Sequence, residues 1–136
     1  MEKGVKLKGK LKEKTERRNK MNLKKETIKA INESEHSKGS VVFVGSSESD
    51  YGMSYEEFEE IADFEYDSGY GCQKISEDLI VLFEDNTYLR RLEYDGSEWW
   101  ELEGNINKNA TIPFNRKGLQ GGYYTIKETE ERKVDE

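Results

Sequence analysis

Apolar residues along this chain fall into short runs that are typical of strands. Residues 40–45 contain four consecutive apolar side chains bounded by small residues, which predicts a buried strand. Leu79–Phe83, Tyr88–Tyr94 and Ser97–Glu103 are three further strand-like runs. A two-residue Asp-Gly turn separates the last two, which predicts a β-hairpin. These three runs therefore predict an antiparallel meander.

Two segments have helical spacing instead. Leu23, Thr27, Ala30 and Ile31 predict a short helix over about residues 21–33. The clearest helix start is Ser54, because a glutamate three residues later completes a capping box. Beyond this start, carboxylates recur at spacings of four, three and four, and they predict one acidic stripe along the helix, formed by Glu56, Glu60, Asp63 and Asp67.

The order of these elements predicts an α+β fold, in which a twisted antiparallel sheet packs against one well-capped helix. Residues 111–114 and 123–126 predict a further, weaker strand pair. We expect residues 1–20 to form a basic flexible arm and residues 21–127 a single domain, with the short helix at 21–33 and an acidic core at 40–127. Residues 128–136 are predicted to be a charged tail.

The composition indicates a protein with one small core, without an internal disulfide or a membrane-spanning segment. The chain has 136 residues, of which 33% are hydrophobic, 38% charged and 11% aromatic, so one small aromatic-rich core is expected. The lone Cys72 excludes an internal disulfide. There is no apolar signal segment, and no run approaches the roughly 20 apolar residues that span a bilayer. We therefore expect a cytoplasmic protein that does not enter a membrane.

Charge is distributed very unevenly. Between Ser47 and Gly104 there are eighteen carboxylates and three basic side chains, whereas the first 39 residues carry thirteen Lys or Arg and six acids. Such an uneven distribution of charge is informative about binding partners more than about catalytic activity. A folded acidic surface repels nucleic acid and attracts proteins whose surfaces hold nucleic acid.

Candidate partner-binding residues follow from this pattern. They are the acidic stripe together with the carboxylates and tryptophans of the predicted hairpin. Of the adjacent tryptophans, which should point to opposite faces, one is expected in the core and the other at the surface as an anchor. The hairpin candidates are Glu93, Asp95, Glu98, Trp99, Trp100 and Glu101.

Patterns typical of enzymes are sparse. His36 is the sole histidine, so a zinc site of ordinary composition is not available. A nucleophilic pair of His36 with Cys72 requires that the two side chains lie next to each other in the fold, which their positions in the sequence do not show. A metal-dependent hydrolase remains an alternative, since four carboxylates are candidates for Mg²⁺ ligands. They are Asp63, Asp67, Glu77 and Asp78. The leading expectation is a non-enzymatic protein without metal or cofactor.

A resemblance sharpens this expectation. The runs Ser-Asp-Tyr-Gly-Met-Ser-Tyr-Glu-Glu-Phe, Ala-Asp-Phe-Glu-Tyr-Asp-Ser-Gly-Tyr-Gly and Leu-Glu-Tyr-Asp-Gly-Ser-Glu-Trp-Trp-Glu lie within residues 49–101. They resemble small acidic proteins of phages and mobile elements in Firmicutes, some of which are anti-CRISPR (type II-A) inhibitors. The resemblance implies a DNA-mimicking inhibitor whose partner is a CRISPR effector nuclease, either free or loaded with guide RNA. It assigns no role to particular residues.

Two other functions stay open. In one, the basic arm binds RNA or DNA through phosphate contacts. Its candidate residues are Lys6, Lys8, Lys10, Lys12, Lys14, Arg17, Arg18 and Lys20. In the other, chains self-associate because the arm of one chain docks on the acidic face of another.

Overall fold

The computed structural model describes residues 20–69, 71–106, 108 and 112–132. They form two antiparallel sheets. The larger has five strands in the order β3-β2-β5-β6-β7, and the smaller pairs β1 with β4. The strands are β1 (Lys20–Asn22), β2 (Val41–Ser46), β3 (Gly52–Met53), β4 (Glu65–Asp67), β5 (Leu79–Phe83), β6 (Tyr88–Tyr94) and β7 (Ser97–Glu103).

Four α-helices and one short 3-10 helix accompany the sheets in the described residues. They are α1 (Leu23–Glu33), the 3-10 helix Lys38–Ser40, α2 (Tyr55–Ile61), α3 (Arg116–Leu119) and α4 (Ile126–Glu131). Side-chain caps begin the helices, because the first N–H groups have no partner within the helix. The Asn22 side chain accepts from Lys25 N–H at α1, and Ser54 and Glu57 form the capping box of α2. The α+β prediction is confirmed.

One face of the large sheet packs against the helices and forms the main core. Val44, Val81, Phe83, Leu89 and Trp100 project from the sheet into one buried cluster with Leu23 and Ile31 of α1 and Phe58 of α2. We call this the helix side of the sheet. The opposite face carries a smaller cluster, in which Phe43, Ile80 and Leu82 are buried with Tyr88 and Ile106 packed against them.

Strands β2 and β3 approach each other unusually closely. A Cβ added at Gly45 would lie 2.3 Å from the Tyr51 carbonyl oxygen and 2.6 Å from the Gly52 Cα. Both neighbours are backbone atoms, so neither can turn aside as a flexible side chain would. The register Gly45↔Gly52 therefore requires a residue without a Cβ.

The predicted hairpin and its neighbouring strands have the expected bounds. The Asp95-Gly96 turn has positive φ at both residues, 55° and 87°, as a two-residue hairpin turn requires. The strand over residues 40–45 is also present, shifted by one residue.

Three expectations for the chain outside these strands are wrong. Helix α2 ends at Ile61, so it does not extend to Asp67. Residues 112–114 and 123–126 do not pair as strands: Ile112 forms a bridge with Tyr51, and residues 123–125 lead into α4; residue 111 of the predicted pair lies outside the described residues. The predicted tail from residue 128 begins inside α4, because the Thr125 and Glu128 side chains form a capping box there.

No helix in the described part of the chain has the length and apolar character needed to cross a membrane.

Candidate protein-binding surface

The acidic stripe predicted for one helix is divided between three elements. Glu56 and Glu60 are exposed on α2, as expected. Ala62 caps the C-terminus of this helix, so Asp63 lies in the following loop and Asp67 lies in β4. The prediction of a continuous stripe is wrong because it assumed two more helical turns than the chain forms.

Asp63 and Asp67 also have basic neighbours. Asp63 Oδ1 accepts a hydrogen bond from the Asn22 side chain at 2.9 Å. That bond lowers the pKa of the Asp63 carboxyl, and the charges of Lys24, Lys25 and Arg116 add to the effect. Asp67 forms an ion pair with Lys20 at 3.1 Å. These two carboxylates are thus partly neutralised within the chain.

The hairpin carboxylates separate between the two faces of the sheet. Along β7, Glu98 and Trp100 point to the helix side and are buried, with 5% and 8% of their surface exposed. Trp99 and Glu101 point to the opposite face, and Trp99 is 38% exposed. Asp95 is exposed at the turn, where Glu93 accepts from the Gly96 N–H at 2.7 Å. The expectation that Glu98 contacts a partner is therefore wrong.

Glu98 belongs instead to a buried ionic network around Arg91. The Arg91 guanidinium donates to Glu98 at 3.2 Å, to Glu26 of α1 at 3.0 Å and to the Tyr66 hydroxyl at 2.9 Å. It also lies 4.8 Å above the Trp100 ring. A buried guanidinium needs such partners because an unpaired charge in the interior is costly.

The two charges of this network respond differently to burial. Burial lowers the pKa of Arg91, but Glu26, Tyr66 and Glu98 outweigh it and the pKa is raised. Burial raises the pKa of the Glu98 carboxyl, against the opposing effects of the Lys74 N–H group and of Arg91. Glu98 also accepts the N–H groups of Lys74 and Ile75, so it ties β7 to the segment before β5.

Outward-facing side chains of β6 and β7 form the most distinctive exposed surface. The register pairs Leu92 with Trp99, and Tyr94 is 77% exposed beside them. Trp99 donates its indole N–H to Glu101 at 3.3 Å. We call this surface the hairpin face, and it consists of Tyr88, Arg90, Leu92, Tyr94, Trp99, Glu101 and Glu103.

An open cleft adjoins the hairpin face. Its volume is about 410 Å³, and β6 contributes part of its lining. Glu48 and Glu77, both exposed, contribute two further carboxylates. Arg90 is the one basic side chain of the hairpin face, and its guanidinium lies 3.9 Å from Glu103. The hairpin face thus combines aromatic area with an excess of negative charge.

The structure does not bring the helix acids and the hairpin face together. Phe58 anchors α2 in the core on the helix side of the sheet, so Glu56 and Glu60 lie on that side of the molecule. The hairpin face lies on the other side of the sheet. A partner that engages both would have to wrap around the domain.

Asp78, one of the four carboxylates proposed as metal ligands, has a structural role. Asp78 is buried, accepts from the Ser46 hydroxyl and receives the Ile126 N–H at 3.0 Å. Burial raises the pKa of its carboxyl. Asp78 thereby joins β2 to the start of α4. Among the residues that the structure describes, no group of three or more acids, histidines or cysteines is placed to hold a metal ion.

His36 and Cys72 do not form the nucleophilic pair considered above. The His36 ring stacks on Phe83 with centroids 3.8 Å apart, and its Nε2 lies 2.9 Å from Asp85. Hydrogen bonds from the hydroxyl of Thr87, from His36 and from the Thr87 N–H lower the pKa of Asp85 to about 2. Cys72 is exposed and lies beside Lys74.

The sequence itself contains a signal for the hairpin face. A two-residue turn fixes the pairing register, so residues two apart on each strand share a face. Because Trp100 and Glu98 are two apart, a buried Trp100 places Glu98 inside. The same register places Tyr94 and Leu92 beside Trp99 on the outside.

Of the candidate nucleic-acid-binding residues, Lys20 alone lies within the described part of the chain, in β1. The candidates Lys6, Lys8, Lys10, Lys12, Lys14, Arg17 and Arg18 lie outside it.

Neither a protein-family model, nor a curated protein, nor a solved structure matches this chain.

Proposed function

We propose that this chain is a non-enzymatic inhibitor that binds a nucleic-acid-handling effector through its acidic surface. The observation that carries the proposal is where its charges lie. Of the eighteen carboxylates between Ser47 and Gly104, only Asp78 and Glu98 are buried, whereas Arg91, one of three basic side chains, is buried and paired. The surface of this segment therefore has a higher ratio of carboxylates to basic side chains than its sequence has. Such a field attracts basic surfaces and accelerates encounter.

The hairpin face is the preferred contact within this acidic surface. Tight interfaces depend on a few large, rigid side chains surrounded by polar residues. Tyr94 and Trp99 supply exposed aromatic area, and Leu92 lies between them and the cleft. Glu101 and Glu103 supply charge beside them. Carboxylates alone would accelerate association with a basic surface. They would not supply the buried aromatic contacts that slow dissociation.

A type II RNA-guided nuclease is the target class that fits best. These enzymes hold nucleic acid in positively charged channels and read their recognition motif with arginines. Carboxylates that occupy phosphate positions in such a channel block it without any chemistry. The resemblance of residues 49–101 to anti-CRISPR proteins supports the same target class, and the charge distribution supports it independently.

Variants on the two sides of the sheet test which surface makes the contact. The probe is a type II effector nuclease, free and guide-loaded, immobilised for kinetic binding measurements. Tyr94→Ala with Trp99→Ala should raise the dissociation rate constant about tenfold or more, because both anchors are lost. Glu56→Lys with Glu60→Lys is the matched control on α2 and should change mainly the association rate and its salt dependence. Equal dissociation rates for wild type and the anchor variant would contradict the assignment of the contact to the hairpin face.

Two further measurements separate the functional classes. In a direct binding assay, binding should be unaffected by EDTA, because no step uses a metal. Loss of binding in EDTA would favour the metal-dependent alternative. The full chain should also inhibit at a one-to-one ratio with the effector. Inhibition that instead tracks tight binding of the chain to guide RNA would favour the alternative in which the basic arm binds nucleic acid.

A further inference from the structure

The cleft beside the hairpin face lies where strands β5 and β6 stop pairing. Their register starts at Ile80↔Arg90. The residue before it in β5, Leu79, donates its N–H to the Ser76 carbonyl oxygen at 3.2 Å instead. Strand β6 continues beyond this point, and the cleft of about 410 Å³ is lined by both strands here. The rest of its lining consists of Ser47, Glu48, Gln73 and Glu77.

The main chain of β6 forms part of the cleft and carries an acceptor that is not used. Arg91 lines the cleft although its side chain is 0% exposed, so it does so through its main chain. Because Tyr94↔Ser97 closes the two-residue turn as a hydrogen-bonded pair, alternate residues of β6 bond to β7. The residues between them, including Arg91, direct their N–H and C=O groups away from β7. Leu79 does not continue the ladder, so the Arg91 carbonyl oxygen has no hydrogen-bond partner among the described residues.

Gln73 supplies a second unused polar group. Only 6% of its surface is exposed, and it lines the cleft. Its carbonyl oxygen packs against Gly122, which is not part of the cleft and where an added Cβ would lie 2.5 Å from that oxygen. The side-chain amide is therefore the part that reaches the cleft. In the described part of the chain this amide has no hydrogen-bond partner, and neither of its polar atoms is fully enclosed. Buried amides are normally paired, so an unpaired one beside a cleft points to a ligand.

Carboxylates dominate the charge of the cleft. Glu48 and Glu77 are exposed on its lining, and Glu93 is half-buried there. Arg90 also lines the cleft, and its guanidinium lies 3.9 Å from Glu103. Carboxylates and the main-chain carbonyl oxygen of β6 only accept hydrogen bonds. A ligand that fits this site therefore carries positive charge and offers several N–H donors.

The lining of the cleft selects among cations. Among the residues that the structure describes, no group of carboxylates is placed to hold a metal ion, so a bare divalent cation does not fit. Ile80, Leu92 and the ring of Tyr88 line the same cleft and suit an aliphatic stem. An arginine guanidinium is planar, offers its N–H donors in a fixed fork and stacks on aromatic rings, whereas a lysine ammonium is a compact point charge. Acceptors from separate chain segments match the fork better than the point charge.

We propose that this cleft is a binding site for an arginine side chain of the protein partner. Glu48 and Glu77 accept N–H groups of the guanidinium at the mouth of the cleft. The Arg91 carbonyl oxygen and the Gln73 amide oxygen accept N–H groups deeper in the cleft, and the methylene stem lies along Leu92. That the arginine belongs to an effector nuclease rests on the proposed function, whereas the preference of the cleft for a guanidinium does not.

Titration of the full chain with N-acetyl-arginine amide, followed by NMR, tests the site without an effector. At low salt, the resonances of the Gln73 side-chain amide and of the Glu93 N–H should shift in a saturable manner. N-acetyl-citrulline amide has nearly the same shape without the charge, and it should cause no saturable shift. N-acetyl-lysine amide should bind more weakly because it lacks the fork of donors.

Two double variants with the same change of charge locate the site. Glu48→Gln with Glu77→Gln should weaken binding of the arginine derivative about fivefold or more, because two ion pairs are lost. Glu33→Gln with Glu84→Gln neutralises two exposed carboxylates outside the cleft and should bind like wild type. Absence of a saturable shift at the cleft, equal affinity for the citrulline or lysine derivative, or equal affinity of the two double variants would each overturn the proposal.

The same variants distinguish this inference from the proposed function. In kinetic binding measurements with a type II effector nuclease, free and guide-loaded, Glu48→Gln with Glu77→Gln should weaken binding about fivefold or more, and the control pair should change it by less than about twofold. If wild type and both double variants bind the effector equally, the effector places no arginine in the cleft, and the inference fails while the proposed function stands. If wild type binds the arginine derivative in the cleft but binds no effector, the proposed function fails and the guanidinium site stands.

Discussion

Replacing Glu98 with alanine tests the assignment of this residue to the interior most directly. The substitution removes the Glu98 acceptor 3.2 Å from Arg91 Nη2, which keeps the Tyr66 hydroxyl as a partner, and it removes the acceptor of the Lys74 and Ile75 N–H groups. Each buried donor that loses its acceptor costs about 1–3 kcal/mol, so the two backbone N–H groups together cost about 2–6 kcal/mol. Arg91 keeps its ion pair with Glu26, so the loss of Glu98 weakens the pairing of this buried charge without abolishing it and adds to that cost.

This loss is large compared with the stability of a small domain. A total of about 5–15 kcal/mol is typical, so a loss of about 4 kcal/mol removes roughly a quarter of it or more. With a urea m-value of about 2 kcal/mol per molar, the unfolding midpoint should fall by roughly 2 M. Glu98→Gln keeps an acceptor but not the charge, so its midpoint should lie between those of wild type and Glu98→Ala.

Urea unfolding at neutral pH, followed by tryptophan fluorescence, measures these midpoints. Glu101→Ala is the matched control, because Glu101 lies on the same strand but is exposed. Its free energy of unfolding should change by no more than about 0.5 kcal/mol. If Glu98→Ala and Glu101→Ala shift the midpoint equally little, the buried network does not stabilise the fold as described.

Further predictions concern the α2 cap, the β2–β3 contact and the response to acid. Ser54→Ala should lower the free energy of unfolding by about 1 kcal/mol, and a double-mutant cycle with Glu57→Ala should show coupling because the capping box is reciprocal; additive effects would contradict it. Gly45→Ala should cost about 1–3 kcal/mol in thermal or urea unfolding, because the new methyl group meets the Tyr51 backbone; an unchanged midpoint would contradict the close approach. The lowered pKa of Asp85, about 2, stabilises the fold fully above its unfolded value near 3.8, and that contribution is lost as pH falls toward 2. Asp85→Asn should therefore flatten the loss of stability between pH 5 and pH 2, and a parallel pH profile would refute the assignment.

Local signals in the sequence predicted the elements that depend on neighbours in the chain. The Asp95-Gly96 turn and the alternation around it gave the bounds of β6 and β7, and the capping box gave the start of α2. The sequence does not reveal the end of α2, because the carboxylate spacing of four, three and four continues to Asp67, although the helix ends at Ile61 and β4 begins at Glu65. Periodicity alone does not distinguish a third helical turn from a loop followed by a strand.

Pairings between distant residues were the main features that the sequence did not reveal. Strands β1 and β4 are three residues long and pair across more than forty residues of chain, so neither carries a recognisable strand pattern. The sequence alone does not place Arg91 in the interior, and only the positions of Glu26 and Glu98 show why it is buried. By contrast, the Thr125–Glu128 capping box can be recognised in the sequence, and it indicates a helix where a charged tail was predicted.

We propose that this chain binds the nucleic-acid channel of an effector through its acidic surface. Competition binding tests it most directly, with the wild-type chain titrated against a guide-loaded type II nuclease in the presence and absence of its target DNA. We expect saturable binding at low micromolar concentration or tighter. Target DNA should abolish this binding, and rising salt should weaken it. Saturable binding that coexists with bound target DNA, or no binding at moderate salt, would contradict the claim.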